Sequence, residues 1–126
     1  MILDFLPHGS PDCPLVRLSK FSPVEARQLH DALSSLADGT VESIAVHELP
    51  FVEAIGEVRL TCRRSQWDQS LVKGITDCHF ECRFSPETWE NVAGLIEPFT
   101  KGAAGFQWLA GGSGEIGLLV SVDGQW

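Results

Sequence analysis

Apolar residues recur every three or four positions in two stretches of the chain, and this spacing predicts two amphipathic helices. Ser22 and Ser85 are natural N-caps, and each is followed by a proline at the first helical position. The first helix is predicted over residues 23–37, with Gly39 ending it, and the second begins at Pro86. Their apolar stripes are Ala26, Leu29, Leu33 and Leu36 in the first helix and Trp89, Val92, Ile96 and Phe99 in the second.

Strict alternation of apolar and polar residues predicts strands elsewhere. It is cleanest over residues 58–64 and 78–84, and further strands are expected over 15–21, 41–49, 106–109 and 116–122. The glycine-rich segment 111–114 reads as a hairpin turn, and residues 65–74 read as a loop. The predicted order is β-α-β-β, a loop, and β-α-β-β again.

A short motif supports a repeat of this order. Lys20-Phe21-Ser22-Pro23 recurs as Arg83-Phe84-Ser85-Pro86, 63 residues later in a chain of 126 residues. The recurrence has two explanations. Either the chain consists of duplicated halves, about 1–63 and 64–126, or one helix-initiating sequence is used twice independently. The preceding strands differ in parity, because Val16 and Leu18 do not align with Phe80 and Cys82 without a bulge or a one-residue shift.

These elements predict a single α+β domain over residues 1–126. We expect a mainly antiparallel sheet of six or seven strands with both helices packed on one face. The two β-α-β-β units would be related by a pseudo-two-fold axis.

Charge and composition narrow the class of protein. Nine Lys and Arg residues against seventeen Asp and Glu residues give a net charge of −8, which disfavours binding to nucleic acid and to anionic membranes. No apolar run approaches the roughly 20 residues that a membrane span needs, and the N-terminus lacks the basic segment of a signal peptide. We therefore expect a cytoplasmic protein with four reduced cysteines.

The polar faces of two predicted strands hold the candidate ligand-binding residues. Alternation directs His79, Glu81 and Arg83 away from the core, beside Arg59 and Arg63 if the two strands are neighbours. Such a row is either a solvated surface with weak ion pairs or a shallow pocket for an anion or carboxylate.

Sequence patterns for metal or cofactor chemistry are weak. Cys78 and Cys82 lie about 13 Å apart on a strand, too far to share a zinc ion, so we expect both thiols in the core and no metal site or cofactor there. His47, His79 and Glu81 would form a two-histidine, one-carboxylate site only if the fold brought them together. No nucleophile elbow or phosphate-binding loop is present.

Two of the four tryptophans are candidate interface residues. Trp67 lies in the predicted loop and Trp126 is the last residue, and each either contacts a partner or packs onto its own chain. Together, these features favour a non-enzymatic binding or assembly module with a protein partner or a homo-oligomeric state. The alternative is a small metal- or anion-dependent enzyme with its site on the open sheet face.

Overall fold

The computed structural model describes residues 1–74, 76, 78–111 and 115–126. Within them the chain forms two helices, α1 (Pro23–Asp38) and α2 (Pro86–Thr100). A single 3-10 turn spans Val46–Glu48. Neither helix combines the length and the apolar character needed to cross a bilayer. The strands are β1 (Ile2–Leu6), β2 (Leu15–Ser19), β3 (Ser43–Ala45), β4 (Glu53–Ala54), β5 (Arg59–Arg64), β6 (Gln69–Lys73), β7 (His79–Phe84), β8 (Phe106–Ala110) and β9 (Gly117–Ser121).

Both helices begin where their capping sequences predict, and both predicted apolar stripes are buried. In α1 the hydroxyl of Ser22 accepts from the Glu25 amide at 3.2 Å, and the Glu25 carboxylate accepts from the Ser22 amide at 3.0 Å. Gly39 ends the helix with φ 83°, a conformation that glycine adopts without strain. Local capping and periodicity are therefore sufficient to predict α1 and α2.

The nine strands of the described residues form two mixed sheets, which corrects the prediction of one mainly antiparallel sheet of six or seven strands. The five-stranded sheet has the order β4-β1-β2-β9-β8, and the four-stranded sheet has the order β3-β5-β7-β6. Antiparallel pairs are joined through parallel contacts of β2 with β9 and of β5 with β7. Alternation identifies a strand but carries no information about its neighbours, so the pairing was not accessible from the sequence.

Each sheet draws strands from both halves of the chain. In the five-stranded sheet, β1 and β2 precede α1, whereas β8 and β9 follow α2. In the four-stranded sheet, β6 and β7 precede α2, whereas β3 and β5 follow α1. The order β1-β2-β9-β8 therefore corresponds to the order β6-β7-β5-β3: in each, the two strands before one helix pair with the two strands after the other helix. In this sense the two halves are interleaved.

Two predicted boundaries are wrong. The segment expected to be a loop, residues 65–74, contains β6. Leu71 is the one buried residue of this strand, so the sequence of β6 shows little alternation of apolar and polar residues. The strand expected over 41–49 is limited to β3, because the chain turns into the 3-10 segment after Ala45. Strands β8 and β9 are antiparallel neighbours, and the predicted glycine turn between them lies partly outside the described residues.

The core lies between the inner faces of both sheets and the buried stripes of the helices. Phe5 of β1 and Phe80 of β7 connect the sheets, with ring centroids 4.6 Å apart. The strands that precede the two Phe-Ser-Pro motifs differ in parity because the first has one more residue before its phenylalanine. Leu18 is three positions before Phe21, whereas Cys82 is two positions before Phe84. The additional residue, Lys20, has φ 56° in the left-handed region, so the strands of both halves direct their apolar residues into one core.

Candidate binding surface on the four-stranded sheet

The outer face of the four-stranded sheet brings together all five candidate ligand-binding residues. In the parallel register of β5 and β7, Arg59 lies beside His79 and Arg63 beside Arg83, with Glu81 between these pairs opposite Thr61. The intervening residues Leu60, Cys62, Phe80 and Cys82 are buried in the core. The strands are neighbours, so the alternation pattern places the polar side chains on one face, away from the core.

Glu81 links two of the arginines. Its Oε1 accepts from Nε of Arg83 at 3.1 Å and forms an ion pair with Nε of Arg63. Partial burial raises the pKa of Glu81, but the hydrogen bonds and charges of Arg83 and Arg63 outweigh it and hold that pKa below its usual value. Each arginine side chain remains 48% exposed, so both guanidinium groups are accessible to a ligand.

The surface is basic although the chain is acidic. Arg59, Arg63 and Arg83 carry three positive charges and Glu81 carries one negative charge, whereas the whole chain carries −8. Arg59 is exposed at the start of β5, next to His79. A local excess of arginine favours contact with carboxylates, which guanidinium groups bind in bidentate geometry.

The cysteines and histidines form no metal-binding cluster among the described residues. Cys82 is buried beside Cys62, and burial raises the pKa of the Cys62 thiol to about 12 and also raises that of Cys82, so both act as small apolar side chains. Cys78 is only half-buried, which corrects the expectation that it lies in the core.

His47 does not join His79 and Glu81. Its Nδ1 accepts from the Leu60 amide at 3.1 Å, so the ring is held against the backbone of β5. The three residues do not group as metal ligands in the described part of the chain. These three residues therefore do not form the two-histidine, one-carboxylate site that the sequence left open.

The two candidate interface tryptophans differ. Trp67, in the connection between β5 and β6, is 76% exposed, the largest fraction among the exposed large hydrophobic residues that the structure describes. Trp126 is 37% exposed and packs on its own chain: its Nε1 donates to Asp12 at 3.0 Å, and its ring centroid lies 5.9 Å from Cζ of Arg17. Trp67 is therefore the tryptophan available to a partner.

The outer face of the five-stranded sheet is covered by its own chain. Leu15 and Leu119 lie outside the shared core yet are fully buried. Arg17 on the same face is bound to Asp4 at 2.7 Å and to the carbonyl of Gly124 at 2.9 Å, which holds the C-terminal residues over the sheet. The outer face of the four-stranded sheet, which bears the arginines, is by contrast exposed.

A groove between the helices is a second surface, which sequence reasoning missed. Contacts of Arg27 with Thr100 and of His30 with Glu97 show that α1 and α2 are antiparallel. The groove has a volume of about 480 Å³, and its lining includes His30, Asp38, Glu90, Ala93, Gly94 and Glu97. The acidic residues recur at helical spacing in α2, but only the helix pairing shows that they share a groove with α1.

Comparison of this chain with protein-family models, with curated proteins and with solved structures gives no match.

Proposed function

We propose that this protein is a non-enzymatic binding module that recognises an acidic partner through the outer face of its four-stranded sheet. The observation that carries the proposal is the open row of Arg59, Arg63 and Arg83, which Glu81 neutralises only in part. The opposite charge on a partner would complement this face and orient the approach of that partner.

The energetics favour a partner with several carboxylates over a single small anion. One exposed ion pair contributes about 0.2–1 kcal/mol, so three arginines supply only about 1–3 kcal/mol. Useful affinity then requires several carboxylates at once together with apolar contact, for which the exposed Trp67 is suited.

A titration with a fluorescein-labelled polyglutamate peptide tests the proposal. We expect saturable binding that weakens with added salt and that is reduced about tenfold by Arg59→Ala/Arg83→Ala, since each lost contact costs a fraction of a kcal/mol or more. The matched control is Arg27→Ala/Lys101→Ala, which removes the same charge from α1 and from the residue that follows α2. Equal losses in both double variants, or preferred binding of a single-stranded oligonucleotide, would contradict the proposal.

We also propose that the chain is one domain built from two related halves, residues 1–63 and 64–126. The corresponding strand orders of the two sheets and the matching helix starts at Pro23 and Pro86 support this. The four cysteines are free thiols, which supports our proposal that the protein acts in the cytoplasm.

A further inference from the structure

We infer that the acidic partner is a second copy of this chain, whose groove between α1 and α2 docks on the basic sheet face. The inference rests on the proposed function and names the ligand of the same surface. It commits to a protein contact between two different regions of the molecule, the groove on one copy and the sheet face on the other.

Charge complementarity is the first argument. The groove lining contains Asp38, Glu90 and Glu97, and no Lys or Arg is among the described residues that form it. Glu90 is exposed and Glu97 is 43% exposed, so both carboxylates are accessible, although Glu97 also lies 3.2 Å from Nε2 of His30 and 3.9 Å from Nζ of Lys101. The sheet face presents three arginines against one glutamate, so the net charges of the two surfaces are opposite.

Shape and side-chain chemistry are the second argument. Trp67 projects from the connection that follows β5, the strand that carries Arg59 and Arg63. The groove of about 480 Å³ is lined in part by Ala93 and Gly94, whose small side chains leave room for an aromatic ring. Tryptophan and arginine are the residues most often found at the energetic centre of interfaces, and here they lie on the same side of the contact.

The geometry of the fold makes the contact heterologous. The buried stripes of the helices and the inner face of the four-stranded sheet both face the core, so the groove and the arginine row face outward from it. When the groove of one copy binds the sheet face of another, the pair still has one free groove and one free sheet face, so further copies can bind at either end. We therefore expect association that increases with concentration and does not stop at a closed dimer.

Salt dependence follows from the charges. Two copies of net charge −8 repel at long range, but this repulsion is screened beyond about 8 Å at physiological ionic strength. The short-range attraction between the arginine row and the groove then dominates near contact. Raising the salt concentration further weakens that attraction, so association is expected to fall between 0.15 M and 1 M salt, over which the screening length drops from about 8 Å to about 3 Å.

Complementary charge-reversal variants provide the decisive experiment, read by sedimentation velocity of the full chain. Glu90→Lys/Glu97→Lys reverses the groove, and Arg59→Glu/Arg83→Glu reverses the sheet face. Each variant alone is expected to be monomeric. An equimolar mixture is expected to associate again, because the native sheet face of the first variant meets the native groove of the second, and the reversed groove of the first also meets the reversed sheet face of the second.

Controls separate this contact from a general charge effect. Glu48→Lys/Glu53→Lys changes the net charge as much as the groove variant but at exposed positions outside the groove, and it is expected to associate like the parent chain. Trp67→Ala, which leaves every charge in place, is expected to weaken association at least tenfold. Far-ultraviolet circular dichroism verifies that each variant is folded.

Two results would overturn the inference. One is a parent chain that stays monomeric at millimolar concentration, and the other is a mixture of the reversed variants that does not associate. If the polyglutamate peptide still binds the sheet face, the proposed function stands and only the identity of the partner is wrong. If neither the peptide nor a second copy binds, both proposals fail.

Discussion

Replacing Asp68 should destabilise the protein although the side chain is exposed and distant in sequence from the helix that it caps. The carboxylate accepts from the Ser85 amide at 2.8 Å through Oδ1 and from the Thr88 hydroxyl at 2.7 Å through Oδ2. Ser85 is the N-cap of α2, and Thr88 occupies the position that Glu25 holds in α1. Asp68 therefore performs for α2 the role that the capping-box glutamate performs for α1.

The magnitude follows from these contacts. Loss of a helix cap costs about 0.5–2 kcal/mol, and a carboxylate at a helix N-terminus contributes about 0.3–1 kcal/mol through the helix dipole. We expect Asp68→Ala to lower the free energy of unfolding by about 1–2 kcal/mol. Asp68→Asn keeps one acceptor oxygen and loses the charge, so it should cost about half as much.

Urea unfolding monitored by circular dichroism measures both variants, with Glu48→Gln as an exposed control. The Ser85 amide first, and then the Thr88 hydroxyl, hold the pKa of Asp68 below its usual value of 3.8. A lowered folded-state pKa gives stability that is present above the unfolded pKa and lost as pH falls through the folded pKa. The difference between the parent chain and Asp68→Asn should therefore shrink as pH falls from 5 towards 3. A difference that is pH-independent, or a cost of Asp68→Ala no larger than that of the control, would refute this account.

Two further substitutions test the ends and the centre of the fold by the same unfolding measurement. Gly39→Ala should cost about 1–3 kcal/mol, because Gly39 has φ 83° and an added Cβ would lie 3.3 Å from Cζ of Arg64; an unchanged stability would show that the helix end relaxes freely. Trp89→Phe should cost about 2–4 kcal/mol, because the fully buried indole donates to the carbonyl of Arg63 at 2.9 Å and phenylalanine removes that donor and leaves a cavity; a cost below about 1 kcal/mol would contradict the assigned hydrogen bond.

Local signals in the sequence predicted the helices well because the information lies within a few residues. Ser22, Pro23 and Glu25 form a cap within one turn, and the apolar stripe behind them follows directly. The capping role of Asp68 was not predictable, since 17 residues separate it from Ser85. No residue pattern marks a helix cap that another segment supplies.

The candidate surface was predictable from the sequence, whereas the groove between the helices was not. Alternation in β5 and β7 fixes which side chains point outward, and the one assumption needed was that these strands are neighbours, which they are. The groove between the helices depends on how α1 and α2 cross, and His30 meets Glu97 only in the antiparallel arrangement. The split of the strands into two sheets likewise depends on long-range pairing that a periodic pattern does not encode.

The interleaved sheets restrict how this chain can fold. Neither half can complete a sheet alone, because each sheet is joined by a parallel contact between the halves. Leu15 of β2 pairs with Gly117 of β9, which is 102 positions later, and Arg59 of β5 pairs with His79 of β7, which is 20 positions later but belongs to the second half. Strand β2 must wait for the last strand to be synthesised before its second edge is paired. During translation the first half therefore exposes an unpaired edge and an open apolar face, and we expect destabilising substitutions in β2 to promote aggregation at this stage.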